Sequence, residues 1–267
     1  MRSYLAAAIQ MTASSSKEEN LVKADTFVRL AAERGATLIV LPEVFSWRGP
    51  RAESAGQAES IPGPTSQRLQ ELARRYQIYL LAGSFLEKTN ETRSHNTSLL
   101  FSPEGETLAQ YRKIHLFDID IPGQVRTKES DTMKPGQEVV TCATPLGIFG
   151  LSVCYDLRFP ELYRRLADKG AEVLFVPSAF TFPTGAAHWE SLLRARAIEN
   201  QAYVIAPNQI GKNVHGFADY GNSMIIDPWG KVIARAPDKA CFITAEIDHD
   251  YLEKVRRELP CLAHRRL

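Results

Sequence analysis

Short, wholly apolar runs alternate along the chain with amphipathic stretches, and this order predicts an α/β fold. Residues 4–9 and 37–41 are apolar runs of strand length, the pattern of strands covered on both faces. Between them Leu21, Ala24, Val28, Ala31 and Ala32 recur at helical spacing. Ser16-Lys17-Glu18-Glu19 precedes them as a capping-box pattern, and Gly35 ends the helix. A second helix carries Leu69, Leu72, Ala73 and Tyr76 on one face. A strand over 78–85 follows, then a hairpin of 97–101 with 107–111 around Pro103-Glu104-Gly105-Glu106. Residues 44–63 and 112–138 read as long loops, and loops of that length inside a compact unit carry function or disorder.

The second half repeats the scheme. A strand over 148–153 runs into a helix with Leu162, Tyr163, Leu166 and Ala167, which Gly170 stops. A strand over 173–176, a helix over 187–201, strands at 203–206, 224–227, 232–236 and 242–247, and a last helix over 250–259 complete the pattern. Gly35-Ala36-Thr37-Leu38-Ile39-Val40-Leu41-Pro42 parallels Gly170-Ala171-Glu172-Val173-Leu174-Phe175-Val176-Pro177. The parallel predicts two related halves, with helices covering sheets that pack on each other and strands of mixed direction. No linker separates the halves, so residues 1–267 read as one domain.

Composition narrows the function. With 44% hydrophobic and 24% charged residues and a net charge of +1, the chain has no basic stripe for nucleic acid. The N-terminal apolar run turns polar at Gln10, too early for a secretory segment, and no stretch reaches transmembrane length. Cys142, Cys154, Cys241 and Cys261 stand singly. That spacing fits a reducing, cytoplasmic setting rather than a disulfide framework or a zinc site.

Cys154 follows an apolar strand, and Pro160 is placed to open the next helix. A thiol near a helix N-terminus is expected to have a lowered pKa, with free backbone N–H groups nearby to hold an oxyanion. A small buried hydrophobe is the other reading. Glu43 sits just past an apolar strand, where burial would raise its pKa for acid–base work; a surface loop glutamate is the alternative. Lys113 can stabilise an oxyanion or simply face solvent, and Glu129 lies in the long loop. His115 and His188 are candidates for a Cys–His dyad, although His188 sits at a predicted helix start. Asp118 and Asp120 have no histidine at metal-ligand spacing, and no phosphate-loop or dinucleotide fingerprint is present.

Leu41-Pro42-Glu43, Tyr111-Arg112-Lys113 and Val153-Cys154-Tyr155-Asp156-Leu157-Arg158-Phe159-Pro160-Glu161 resemble, in order, the three signature motifs of the nitrilase (carbon–nitrogen hydrolase) superfamily. The resemblance implies a four-layer αββα sandwich and homodimers. It also implies a Glu–Lys–Cys triad at Glu43, Lys113 and Cys154, with Glu129 as a supporting carboxylate. Ala187-His188-Trp189-Glu190, the 193–201 segment and Tyr220-Gly221-Asn222-Ser223 resemble the Nit branch, which contains deaminated-glutathione amidases and ω-amidases. The implied reaction is hydrolysis of the primary amide of a small 2-oxo acid through a thioester, with no metal or organic cofactor. The Tyr155 backbone N–H would share the oxyanion with Lys113, and Phe180 and Thr181 would neighbour the pocket. Arg158 would bind a substrate carboxylate or pair with Asp156 or Glu161. An N-carbamoyl hydrolase, a true nitrilase and a catalytically silent binding protein remain as alternatives.

Overall fold

The computed structural model describes residues 3–266 except 91, 124 and 215. In chain order, β1 (Ser3–Gln10), α1 (Lys17–Glu33), β2 (Leu38–Val40), α2 (Ser54–Gln57), α3 (Pro64–Tyr76) and β3 (Tyr79–Leu81) form the first βαβαβ path. They are followed by β4 (Phe85–Glu87), β5 (His95–Phe101), β6 (Thr107–Arg112), β7 (Asp118–Ile121) and β8 (Val125–Lys128). The second path runs through β9 (Thr141–Thr144), β10 (Gly147–Leu151), α4 (Pro160–Asp168), β11 (Val173–Phe175), α5 (Phe182–Asn200) and β12 (Tyr203–Ala206). Last come β13 (Ile210–Lys212), β14 (Ala218–Tyr220), β15 (Met224–Ile226), β16 (Val232–Arg235), β17 (Cys241–Asp248) and α6 (His249–Glu258).

Among the described residues one sheet has the order β17-β1-β2-β3-β5-β4, with β6 on β5, and the other β16-β15-β12-β11-β10-β9. In each, three central strands run parallel and antiparallel strands flank them. The two look-alike segments are thus the middle strands, β2 and β11, of equivalent units. Strand alternation sets the layers. Ala6, Ala8, Leu38, Val40 and Leu81 pack toward Leu151, Phe175 and Ile205 of the other sheet. Their neighbours Ala7, Ile9, Ile39 and Leu80 pack on Leu21 and Val28 of α1 and Leu69 and Leu72 of α3. Leu162 and Leu166 of α4 and Trp189 and Leu193 of α5 cover the second sheet. The result is the expected αββα sandwich. No helix among the described residues is long and apolar enough to cross a membrane.

Two differences from the sequence reading matter for the site. The segment 112–138 is only partly irregular: Ile119, Ile121, Val125 and Thr127 alternate in the β7–β8 hairpin. The strand expected over 78–85 breaks between β3 and β4 at Gly83 (φ 55°), where the backbone presses against the Leu41 and Pro42 carbonyls. That break releases Ser84, whose hydroxyl accepts from the Val44 N–H at 3.0 Å and so shapes the turn carrying Glu43.

A Cβ at Gly83 would strike two backbone oxygens, whereas one at Gly35 (φ 91°) meets nothing within 4 Å. Gly83→Ala is therefore expected to destabilise by roughly 3 kcal/mol or more. Gly35→Ala should cost about 1–2 kcal/mol, for its left-handed backbone alone. Urea unfolding of both variants measures the difference, and equal losses would contradict the close-approach argument.

Candidate active site

The ends of four strands from both sheets meet at one edge of the sandwich. Glu43 stands three residues past β2, Lys113 directly follows β6, Cys154 stands three past β10, and Ala179 four past β11. Glu43, Lys113 and Cys154 are 4%, 2% and 6% exposed, and all three line one cavity of about 140 Å³ together with Glu129, Asn96 and Thr181. Such a volume admits a small organic substrate.

Lysine at the centre organises the group. Lys113 Nζ donates to Glu43 Oε1 at 2.9 Å and to both Glu129 oxygens, at 3.1 and 2.8 Å. Asn96 Nδ2 donates to Glu43 Oε1 at 2.9 Å and reaches Glu129 Oε1 at 3.4 Å. The Ala179 N–H holds Glu43 Oε2 at 2.8 Å, and the Phe117 N–H holds Glu129 Oε2 at 2.7 Å. The Cys154 thiol lies beside the Glu43 carboxylate in the same cavity.

A buried carboxylate locks the two halves of this arrangement together. Asp156, 0% exposed, accepts from the Tyr111 hydroxyl (2.6 Å), the His115 N–H (3.0 Å) and the Val153 N–H (2.9 Å), with His115 Nδ1 at 2.7 Å. Its partners flank Lys113 on one side and Cys154 on the other, so it fixes the distance between amine and thiol. His115 is thereby committed to Asp156 and stacks on Phe159 at 3.6 Å, and His188 approaches Arg158 at 3.3 Å. Neither histidine lines the cavity.

Cys154 does not open a helix. It begins a single 3₁₀ turn, Cys154–Arg158, with its own φ at 50°, and α4 starts only at Pro160. The Cys154 N–H goes to the Pro177 carbonyl (3.0 Å) and the Asp156 N–H to that of Val153 (3.2 Å). The intervening Tyr155 N–H is left without an intrahelical acceptor. The expected lowering of the thiol pKa is overturned: burial and the Glu43 carboxylate push it well above its ordinary value, against the pull of Lys113. The expectation for Glu43 is reversed as well. Burial raises its pKa, but the Lys113 ammonium, the Cys154 thiol and Arg48 outweigh burial and hold the carboxyl below its usual range. Burial works against the Lys113 charge too, yet Glu129 and Glu43 keep that amine well above its ordinary pKa. The resting site is thus thiol, carboxylate and ammonium.

The remaining predicted residues divide. Thr181 lines the cavity, its hydroxyl 2.8 Å from that of Thr184. Tyr155, Phe180 and Arg158 form a stack beside it instead, with the guanidinium carbon 5.7 Å and 5.1 Å from the two ring centres. Arg158 makes no ion pair with Asp156 or Glu161; Asp156 is satisfied elsewhere. Sequence reading missed Asn96, because the strand was begun at Thr97. The buried polar run His95-Asn96-Thr97-Ser98 on β5 was the available signal. It also missed Arg48, whose buried pair with Asp219 of β14 closes one wall of the cavity.

Comparison with known proteins agrees with this architecture. The family model described as carbon-nitrogen hydrolase matches residues 5–257. A deaminated glutathione amidase from Synechocystis sp. is 46% identical, over 99% of both chains. Omega-amidase NIT2 of Homo sapiens is 40% identical over 100% of this chain and 96% of its own. The crystal structure of Saccharomyces cerevisiae Nit3, a member of branch 10 of the nitrilase superfamily, superposes with a TM-score of 0.89 at 34% identity, covering 99% of this chain and 97% of that one.

Removing the central ammonium should expose what it neutralises. Lys113→Met leaves the buried Glu43 and the partly buried Glu129 carboxylates facing each other and is expected to destabilise by about 3–5 kcal/mol near neutral pH. The pH dependence has a definite sign. In the wild type the lowered Glu43 pKa gives stability that is present above the unfolded carboxyl pKa and lost as pH falls. In the variant burial raises that pKa, so stability is greatest in acid and lost as pH rises. Urea unfolding at about pH 5 and about pH 7.5 should show a smaller deficit at the lower pH; an equal deficit at both would refute the arrangement of charges.

Proposed function

We propose that this chain, which belongs to the carbon–nitrogen hydrolase family, is a cysteine-dependent amidase acting on a small 2-oxo acid amide, with deaminated glutathione as the leading substrate. The observation that carries the reading is the Lys113–Glu43–Glu129 cluster sharing one cavity with a buried thiol. The identity to a relative bearing the deaminated glutathione amidase name, 46%, favours that substrate over 2-oxoglutaramate, the ω-amidase alternative suggested by the 40% relative.

The chemistry follows from the charges. Glu43 takes the thiol proton of Cys154 as the sulfur attacks the amide carbonyl carbon. The oxyanion that forms is held by Lys113 Nζ and the Tyr155 N–H. Collapse of the tetrahedral adduct breaks the C–N bond, and the proton on Glu43 passes to the departing nitrogen. Glu43 then deprotonates a water that attacks the thioester, and the acid leaves as the thiol regains its proton. Glu129 fixes Lys113 and acts as a positioning residue. Arg158 is half-buried, packed on two rings and without a carboxylate partner among the described residues, which suits it to the acyl-side carboxylate of the substrate. Thr181 and Phe180 flank that side.

The leaving group needs a correction to the primary-amide expectation. Deaminated glutathione joins its 2-oxo diacid to the nitrogen of cysteinylglycine, so its scissile amide is N-substituted and the departing group is a dipeptide amine. Only 2-oxoglutaramate, a primary amide, releases ammonia.

The assembly and setting belong to the same proposal: one hydrolase domain over residues 1–267, forming a cytoplasmic homodimer. Supporting the dimer, Ile198 of α5 and the adjoining Trp229 turn are 49% and 59% exposed on one face, an unusual surface for large apolar side chains. Supporting the reducing compartment, all four cysteines are free thiols.

The test is hydrolysis of deaminated glutathione and 2-oxoglutaramate, reading 2-oxo diacid, dipeptide and ammonia separately. Wild type is expected to prefer the former, and Cys154→Ala to lose at least ~10⁴-fold in rate. Rapid-quench mass spectrometry should find the acyl group on Cys154. Turnover surviving in Cys154→Ala would end the proposal.

A further inference from the structure

One of the three cations lining the cavity has no carboxylate partner among the described residues. Lys113, Arg48 and Arg51 all line it. Lys113 is matched by Glu43 and Glu129, and Arg48 by Asp219. Arg51, in the segment between β2 and α2, has no carboxylate partner among the described residues. Its N–H groups go to two neutral acceptors on the β7–β8 hairpin, the Thr127 hydroxyl and the Lys128 carbonyl, the latter at 3.1 Å. A guanidinium so placed is oriented but not neutralised, and it has donors to spare. The adjoining wall has a second unused donor: Trp47 lines the cavity, and its indole N–H is buried with no acceptor.

We propose that Arg51 selects the leaving group, binding a carboxylate carried on the amine side of the scissile amide, such as the C-terminal carboxylate of a departing dipeptide. This rests on the amidase reading above and adds to it the substrate's second half. Position argues for the amine side. Arg51 is tied to residues 127 and 128, immediately before Glu129, so it lies on the Glu129 side of the catalytic lysine. Arg158, also without a carboxylate partner among the described residues, sits on the Cys154 turn against the Tyr155 and Phe180 rings. A substrate whose carbonyl oxygen points at Lys113 and the Tyr155 N–H would then direct one carboxylate toward each guanidinium. An amide that releases only ammonia has nothing to offer Arg51. A bidentate guanidinium–carboxylate bond is the interaction that distinguishes the two substrate classes.

Arg51 also latches a loop to a hairpin, and the experiment separates the two roles. Three substrates are compared by kcat/KM: deaminated glutathione, the same molecule with its terminal carboxylate converted to a carboxamide, and 2-oxoglutaramate. Wild type is expected to favour the acid over its carboxamide by roughly 10- to 100-fold, mostly through KM. In Arg51→Gln that ratio should fall close to one, and Arg51→Lys should restore part of it. Thr127→Val, which loosens the latch but leaves the guanidinium, should keep the ratio. The inference is overturned if wild type does not distinguish acid from carboxamide, if Arg51→Gln retains the ratio, or if Thr127→Val abolishes it as fully. Cleavage of 2-oxoglutaramate alone by the wild type also overturns it while sparing the amidase reading. If wild type cleaves none of the three, the amidase reading itself fails.

Discussion

The structure depends on one ammonium group held out of water between two carboxylates. Lys113 is 2% exposed and bonds both Glu43 and Glu129. Burying three charges is unfavourable unless each is matched in distance and direction. The surrounding structure supplies that match: two backbone N–H groups and the Asn96 amide complete the carboxylates, and Asp156 ties the lysine strand to the cysteine turn. The sandwich is what makes this affordable, because strand ends from two packed sheets can deliver side chains with little freedom to move apart. A fold with the same residues on mobile loops would let water in and the lysine out.

The same charges determine how the sulfur is activated. With a carboxylate beside it and solvent excluded, the thiol keeps its proton at rest. The site is therefore not a preformed thiolate paired with a cation, and His115, a candidate partner for one, is committed to Asp156. In the proposed mechanism, proton transfer to Glu43 accompanies bond formation to the substrate, when the negative charge leaves sulfur for the carbonyl oxygen and moves toward Lys113. A neutral resting sulfur is also a poor target for adventitious oxidation or alkylation. Reactivity thus becomes conditional on a substrate whose carbonyl can occupy the oxyanion position.

How much of this was legible in the sequence varies with the physics involved. Buried strands announce themselves through unbroken apolar runs, so β1, β2, β10 and β11 and the repeat that pairs them were readable. Glu43, Lys113 and Cys154 stand just past such runs, at places where a polar side chain must face the sandwich edge. Burial was readable too, but its sign was not. Whether burial raises or lowers a carboxyl pKa depends on which charge lies opposite, and Glu43 and Lys113 are 70 residues apart. Asn96 and Asp156 escaped for a related reason: their roles are set by tertiary partners, and neither lies on a periodic pattern. Arg158 could not be decided between a structural pair and a free guanidinium until the structure gave Asp156 its other partners.

Two of the elements missed have something in common. The β7–β8 and β13–β14 hairpins are short, partly polar and outside both large sheets, and each contributes to the wall of the cavity, through Thr127 and through the Phe217 segment beside Asp219. Their strands need no apolar run because they bury little, which is why no run marked them. Scaffold and specificity are thereby written in different alphabets. The reaction centre is fixed by hydrophobic strands that any related chain must keep in order to fold, whereas the chemistry of the entrance is carried by segments free to change without disturbing the core. Two relatives with similar cores can then bear different substrate names, and the residues that separate them are to be sought where the guanidinium of Arg51 meets the hairpin rather than around the sulfur.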